Sequence, residues 1–378
     1  MTTHRQPSLS QRLGTLWPII QAPMAGVQGS AMAVAVSNAG GLGSLPCAML
    51  TLDVLRSGLQ AITSQTSQPY NVNFFCHTPP VPDTAREAAW RAALAPYYAQ
   101  HGINAATISA GAGRAPFTHE AADVLEAFKP PVVSFHFGLP KPELLARVKA
   151  WGAVVLSSAT TVAEARWLEA NGADAVIAQG LEAGGHRAVF LAEHLTGNWT
   201  FDLSTQQGTF TLLPQIVAAV RCPVIAAGGI ADAAGVRAAM ALGAAGVQVG
   251  TAYLLCTEAT TSAVHRAALQ SDAAQHTTLH AAQHTKLHVA QHTALTTLFT
   301  GRPARGIVNR VMRELGPLCD LAPAFPTATA GIAPLRAAAE KLGLGDFSPL
   351  WSGQNTTGCR AEGAAAVTQM LLEGLSNS

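Results

Sequence analysis

The chain has 378 residues, 49% of them hydrophobic, and a formal net charge of +1. That supports a sizeable core in one large domain or two ordinary ones, and the lack of a long basic run argues against nucleic acid as the main partner. The start, "MTTHRQPSLSQRLG", lacks the apolar core of a signal peptide, and no apolar stretch approaches the roughly 20 residues of a bilayer span, so a soluble, cytoplasmic protein is expected.

In chain order, short apolar runs alternate with segments of helical composition. The first run, "WPIIQAP" at 17–23, leads to Met24, a flexible apolar side chain just beyond the rigid turn at Pro23. "GGLGSL" at 40–45 follows, then "YNVNFF" at 70–75, whose Asn73 can hydrogen-bond the edge of a heterocycle. Residues 78–130 interrupt the repeat, and helices with a loop around "SAGAGRAPF" are expected there. The fourth run, "PVVSFHFG" at 131–138, carries His136 near its end. A histidine between phenylalanines is more often a satisfied core residue than a catalyst, so His136 is a secondary, substrate-side candidate. "AVVLSS" at 153–158 comes next, and "ADAVIAQ" at 173–179 ends in Gln179 and opens into "GLEAGGHR". The last two, "CPVIAAGG" at 222–229 and "AGVQVGTA" at 245–252, bring glycines to their C-terminal ends.

Several of these runs are continuously apolar, as in parallel strands buried on both faces. Between them, "TVAEARWLEANG" and "DAAGVRAAMALG" have helical spacing and a terminal glycine. Eight such units predict an α/β fold, a (β/α)8 TIM barrel; a doubly wound sheet is the alternative. On this reading residues 1–256 form the barrel. Residues 257–327 form a smaller, mainly helical domain over its mouth, and 328–378 hold helices that return to the barrel. Within the smaller domain "AQHT" recurs with a period of eight, placing His276, His280, His284, His288 and His292 on one helical face. No carboxylate or cysteine is interleaved, so a compositional repeat is expected rather than a metal site. The six cysteines form no C-x-x-C pair and read as reduced thiols.

Barrel active sites form at the C-terminal ends of the strands. Gly228 and Gly229 after the seventh run, with a helix starting near Asp232, and Gly250 and Thr251 after the eighth suit a phosphate group. Tight turns are their plainer use. Asn73 and Gln179 suit a ring such as isoalloxazine, although holding buried backbone is the commoner role of a single amide. Gly184 and Gly185 let the loop pass close to a ligand, beside His186, whose charge can change near neutral pH. Bracing the loop is the plainer role of His186. A local pair between Arg187 and Glu182 is also expected.

The stretches "QAPM", "GGLGSL", "VNFF", "VVSFHFGLP", "GADAVIAQGLEAGGHR", "PVIAAGGIAD", "GAAGVQVGTAYLLCTEA" and "GRPARGIVNR" at 301–310 together resemble the nitronate monooxygenases, class I subfamily. The likeness covers most of the chain, ending with "SPLWSGQ" at 348–354. It implies a barrel that binds FMN non-covalently and a second domain that shapes the substrate pocket. Carried over by motif, Asn73, Gln179, Gly184, Gly229, Gln248, Val249, Gly250 and Thr251 are FMN contacts, Met24 lies against the flavin, and His186 is the active-site histidine. The implied reaction oxidises an alkyl nitronate, such as propionate 3-nitronate, with O2 to a carbonyl product and nitrite or nitrate, without nicotinamide. His186 would serve as an imidazolium or N–H donor to a nitronate, or as general base to a neutral nitroalkane. A monomer or homodimer is expected. Two departures bear on substrate choice: Ala188 stands where the family usually has glycine, and the chain has only four tyrosines. The rival readings are an FMN-dependent enoyl-ACP reductase or NAD(P)H:quinone reductase, and a flavin-free phosphosugar barrel.

Overall fold

A computed structural model describes residues 7–108, 114–191, 201–271 and 293–375. The histidine octads from His276 to His292 lie outside them, as do residues 109–113 of the "SAGAG" loop. Eleven strands occur among the described residues: β1 (Ile19–Gln21), β2 (Gly43–Pro46), β3 (Tyr70–Phe75), β4 (Val132–His136), β5 (Val154–Ala159), β6 (Ala175–Gln179), β7 (Gly185–His186), β8 (Val224–Ala227), β9 (Gly246–Val249), β10 (Thr293–Thr296) and β11 (Ala304–Ile307). Eight of them pair in parallel in the order β1-β9-β8-β6-β5-β4-β3-β2, and a parallel bridge between Ile20 and Leu42 joins the two ends. The sequence expectation of a TIM barrel holds, and each barrel strand coincides with one of the eight apolar runs, β2 and β5 extending one residue beyond theirs.

Alternation along each strand sorts the side chains into two layers. Val72, Val133, Val155, Val176, Val224, Val247 and Val249 pack outward in the cluster shared with the helices. Ile20, Leu42, Val132, Leu156, Ile177 and Ile225 point inward and pack against Leu9 and Leu13 of the N-terminal helix. Above this apolar layer lies a polar one. Gln21 and Gln28 exchange amide hydrogen bonds, Ser44 donates from Oγ to the Gln21 carbonyl at 2.6 Å, and Asn71 donates to Ser44 Oγ at 2.9 Å. Thr161 and Asp232 cap the two helices read from sequence, Val162–Ala170 and Ala233–Ala241.

A second core lies beside the barrel. Trp90, Leu94, Tyr97 and Tyr98 of the helix Thr84–Gln100 pack with Leu298, Phe299, Val311, Met312, Ile332, Leu335 and Phe347. The interruption at 78–130 thus supplies one wall of this core. Helix Ala328–Lys341 packs on that same helix, whereas Ala364–Leu372 packs on the barrel helices Ser30–Asn38 and Ala233–Ala241. Beside helices Ala263–Gln270 and Arg310–Leu315, the described residues of 257–327 hold the antiparallel hairpin β10–β11, which adds β7 from the barrel loop as a third strand.

Trp90 is almost fully buried and donates from Nε1 to the Ala328 carbonyl at 3.1 Å. Trp90→Ala is expected to destabilise the fold by about 3–5 kcal/mol, from the cavity and the orphaned carbonyl. Urea denaturation followed by circular dichroism measures this.

Candidate active site

One cavity opens at the C-terminal ends of the barrel strands. Met24, Asn73, His136, Gln179, Gly184, His186, Gly229, Gln248, Gly250 and Thr251 all line it. Of the residues expected from sequence, only Val249 stays outside. Its neighbour Gln248 takes the inward position, so Val249 turns to the helix side and joins the outer core.

At one end are the glycine loops. Gly228 and Gly229 have φ of 116° and 73°, a conformation that favours glycine, and they turn the chain after β8 along the cavity wall. Asp232 caps the following helix by accepting from the Gly235 N–H at 2.8 Å. The C-terminal segment folds over these loops, where Asn355 donates to the Gly229 carbonyl and the Gly353 N–H donates to Thr251 Oγ1, both at 2.9 Å. Gly184 is needed for this approach, because a Cβ there would lie 2.5 Å from the Gly353 nitrogen. Gln248 sits on the cavity floor with a buried Oε1 that has no hydrogen-bond partner.

His186 lines the same cavity. The loop after β6 is held by Gln179, whose Nε2 donates to the His186 carbonyl and whose Oε1 accepts from the Ala188 N–H, both at 2.9 Å. The amide therefore performs the backbone role weighed for it while still lining the cavity. His136 Nε2 lies 3.2 Å from the same carbonyl and must donate to it, so His136 braces the loop. The next peptide N–H, of Arg187, donates to Pro303 at 2.8 Å beside the short β7–β11 ladder. The expected Arg187–Glu182 contact is not formed. Arg187 donates to Gln206 and to the carbonyls of Gly180 and Gln179, while Glu182 accepts from Thr209. The Ala188 methyl is fully buried in this loop.

The imidazole of His186 is enclosed by rings. Phe325 lies 5.4 Å away, Trp351 5.6 Å, and Phe75 and Phe137 each 6.0 Å. Thr300 Oγ1 is 3.0 Å from His186 Nε2, and as donor or acceptor it sets which ring nitrogen carries the proton. Burial holds the His186 pKa well below the usual histidine value, with Arg114, His136, Arg302 and His77 adding to the effect. Burial likewise lowers His136 and His77 to about 4. Among the described residues no aspartate or glutamate lines the cavity, and Arg114 is the one lining cation. Phe137, at φ 67°, places its ring 4.2 Å from the Arg302 guanidinium carbon.

Sequence reasoning missed Arg114, Thr300, Phe325, Trp351, Gly353 and Asn355. Most lie in or beside stretches singled out for other reasons, namely "SAGAGRAPF", "GRPARGIVNR" and "SPLWSGQ". None of the four tyrosines lines the cavity, and aromatic contact there comes from Phe75 and Trp351.

A family model described as nitronate monooxygenase matches residues 6–373. A nitronate monooxygenase of Pseudomonas aeruginosa is 39% identical over 96% of this chain and 97% of its own. One of Paraburkholderia phytofirmans is 40% identical over 97% of this chain and 94% of its own. Among solved structures, nitroalkane oxidase from Streptomyces ansochromogenes superposes with a TM-score of 0.82 at 36% identity, covering 96% of both chains. FabK from Thermotoga maritima shares the fold, with a TM-score of 0.65 at 23% identity, over 98% of this chain and 96% of that one.

The depressed histidines make stability pH-dependent. Below about pH 6.5 the unfolded chain takes up protons that folded His77, His136 and His186 still refuse, and buried His265, also lowered to about 4, behaves alike. Stability is therefore full above about 6.5 and declines as pH falls towards 4. Calorimetry at pH 7 and 4.5 is expected to show Tm lower at the acid pH by on the order of 10 °C.

Proposed function

The chain belongs to the nitronate monooxygenase family, and we propose that it oxidises alkyl nitronates of the propionate 3-nitronate type with O2, using non-covalently held FMN, to a carbonyl product with nitrite or nitrate. The observation that carries this reading is one cavity joining two glycine loops to a half-buried histidine, with no carboxylate among its described lining residues.

The residues present suit FMN. The unpartnered Oε1 of Gln248 is a buried acceptor that a ligand N–H can satisfy. The backbone around Gly229 and Gly250 lines the cavity and can meet a phosphate, and the carboxylate of neighbouring Glu182 is taken up by Thr209. Met24 borders Gly250, since a Cβ there would lie 3.6 Å from its Sδ, and it supplies an apolar face for a ring. Asn73 and Gln179 complete the polar rim. Bound FMN supplies the electron transfer to O2.

The chain's own part is binding, orientation and exclusion of water. A nitronate arrives as an anion, so no C–H proton has to be removed. His186 is kept neutral by burial, which disfavours the imidazolium considered from sequence and makes the ring a weak base. A hydrogen bond donated to the nitronate is the role that remains, with Thr300 controlling the tautomer. The surrounding phenylalanines and Trp351 keep water from the reacting carbon.

His186→Asn is expected to lower kcat/KM for a nitronate by about 100-fold without loss of FMN; an unchanged value would remove His186 from the mechanism. In wild-type protein, kcat/KM is expected to show no histidine ionisation from pH 6 to 9, because His186 is already neutral there. Gly184→Val is expected to push the 351–355 segment off the cavity and reduce bound FMN, read from the visible absorbance. The reductase alternative makes the opposite forecast in one experiment, anaerobic addition of NADH, which would bleach the flavin rapidly.

A further inference from the structure

We infer that Glu182 and Thr209, neither of which is among the described lining residues of the cavity, are positioning residues that hold the glycine loop after β8 in the shape a flavin phosphate needs. The inference rests on the FMN reading and adds to it two residues that act on the cofactor through the backbone they hold.

Glu182 lies in the loop after β6, across from the helix Thr209–Ala219. The N-cap of that helix is Gly208, which offers no side chain to the first backbone N–H groups. Glu182 supplies the missing cap from the neighbouring loop. Its carboxylate accepts from the Thr209 N–H at 3.0 and 2.8 Å and from the Thr209 hydroxyl at 2.8 Å. The same hydroxyl lies 2.9 Å from the Gly228 carbonyl. The loop after β6, the start of the helix and the loop after β8 thereby meet at one hydroxyl. The main chain of Glu182 extends the tie to the C-terminal segment, its carbonyl accepting from the Gln354 N–H at 3.0 Å.

Glycines clear the space for this pair. A Cβ at Gly180 would overlap Thr209 Oγ1 and come within 2.6 Å of Glu182 Oε2. One at Gly208 would lie 2.8 Å from Glu182 Oε1, and one at Gly228 2.9 Å from Thr209 Oγ1. Gly228 and Gly229 themselves line the cavity at positive φ. Two successive glycines have many backbone alternatives, so their loop needs an outside constraint. Thr209 holds the Gly228 carbonyl on one side, and Asn355 holds the Gly229 carbonyl on the other. Backbone N–H groups gather a phosphate only when they converge, and a loop fixed beforehand spends none of the binding energy on ordering itself. A free carboxylate so close would repel the ligand, but the donors of Thr209 occupy both of its oxygens.

The test compares FMN with riboflavin, which lacks the phosphate, in titrations of flavin-free protein followed by flavin fluorescence. Wild-type protein is expected to bind FMN about 100-fold more tightly than riboflavin. Thr209→Val removes the hydroxyl and keeps the backbone N–H; Glu182→Ala removes the cap. Each should weaken FMN by about 10-fold and leave riboflavin unchanged. Thr209→Ser and Glu182→Gln should keep most of the preference, since serine retains the hydroxyl and the glutamine amide can accept from the Thr209 N–H while donating to its oxygen. A role confined to fold stability would weaken both flavins alike, and that result would overturn the inference. So would an undiminished preference in Thr209→Val and Glu182→Ala, or its loss in both conservative variants. Wild-type protein that binds the two flavins equally would remove phosphate recognition but leave the flavin reading standing. Wild-type protein that binds neither would defeat the FMN reading itself, and the inference with it.

Discussion

The position of His186 depends on one amide. Gln179 stands at the end of a rigid, doubly buried strand and grips the following loop twice, through the His186 carbonyl and the Ala188 N–H. Only a side chain with a donor and an acceptor on one planar group can do this. A carboxylate would set an acceptor against a carbonyl, and an aliphatic residue would leave the Ala188 N–H without its partner at about 1–3 kcal/mol and the His186 carbonyl with His136 alone. The surroundings reinforce the grip. His136 adds a second donor to the same carbonyl, Arg187 ties the loop back to Gly180 and Gln179, and β11 pairs with residues 185 and 186. Barrel strand, loop and hairpin therefore converge on a single peptide, and the imidazole follows from it.

That convergence explains why the second core exists where it does. The barrel alone presents an open mouth, with glycine loops on one side and the β6 loop on the other. Helix Thr84–Gln100 and residues beyond 293 build a separate apolar cluster, and the hairpin and the 351–355 segment extend from it across the mouth. Close approach of backbones makes this seal possible, Gly184 against Gly353 above all. The seal in turn surrounds His186 with rings and leaves it only half-exposed, which disfavours its charged form.

The eight barrel strands were legible because parallel strands buried on both faces read as continuous apolar runs. The glycine loops were legible because they follow those runs directly. Gln179 was visible as a site residue, but its grip on the loop was not, since the partners of an amide cannot be read from spacing. Val249 was assigned with its neighbours as a block, although strand alternation already separates it from Gln248. The hairpin went unread because β11 pairs with β7, more than a hundred residues earlier, and neither segment has a strong pattern of its own. Arg114 and Asn355 were hidden for the same reason: each reaches the cavity from a different part of the chain. The protonation of His186 was left open by the sequence, because it is set by burial together with Arg114, His136, Arg302 and His77, which only the fold assembles.

A neutral histidine facing an anionic substrate looks like a missed opportunity for attraction, but the proposed chemistry favours it. Oxidation draws electron density away from the nitronate. An imidazolium in contact with that group would hold the reactant more tightly than the transition state, and such binding slows the chemical step. A hydrogen bond from a neutral ring orients the nitronate while losing less as its charge departs. Attraction is better placed where charge does not change during the reaction. Arg114, the one cation among the described lining residues, lowers the His186 pKa further and so opposes the imidazolium.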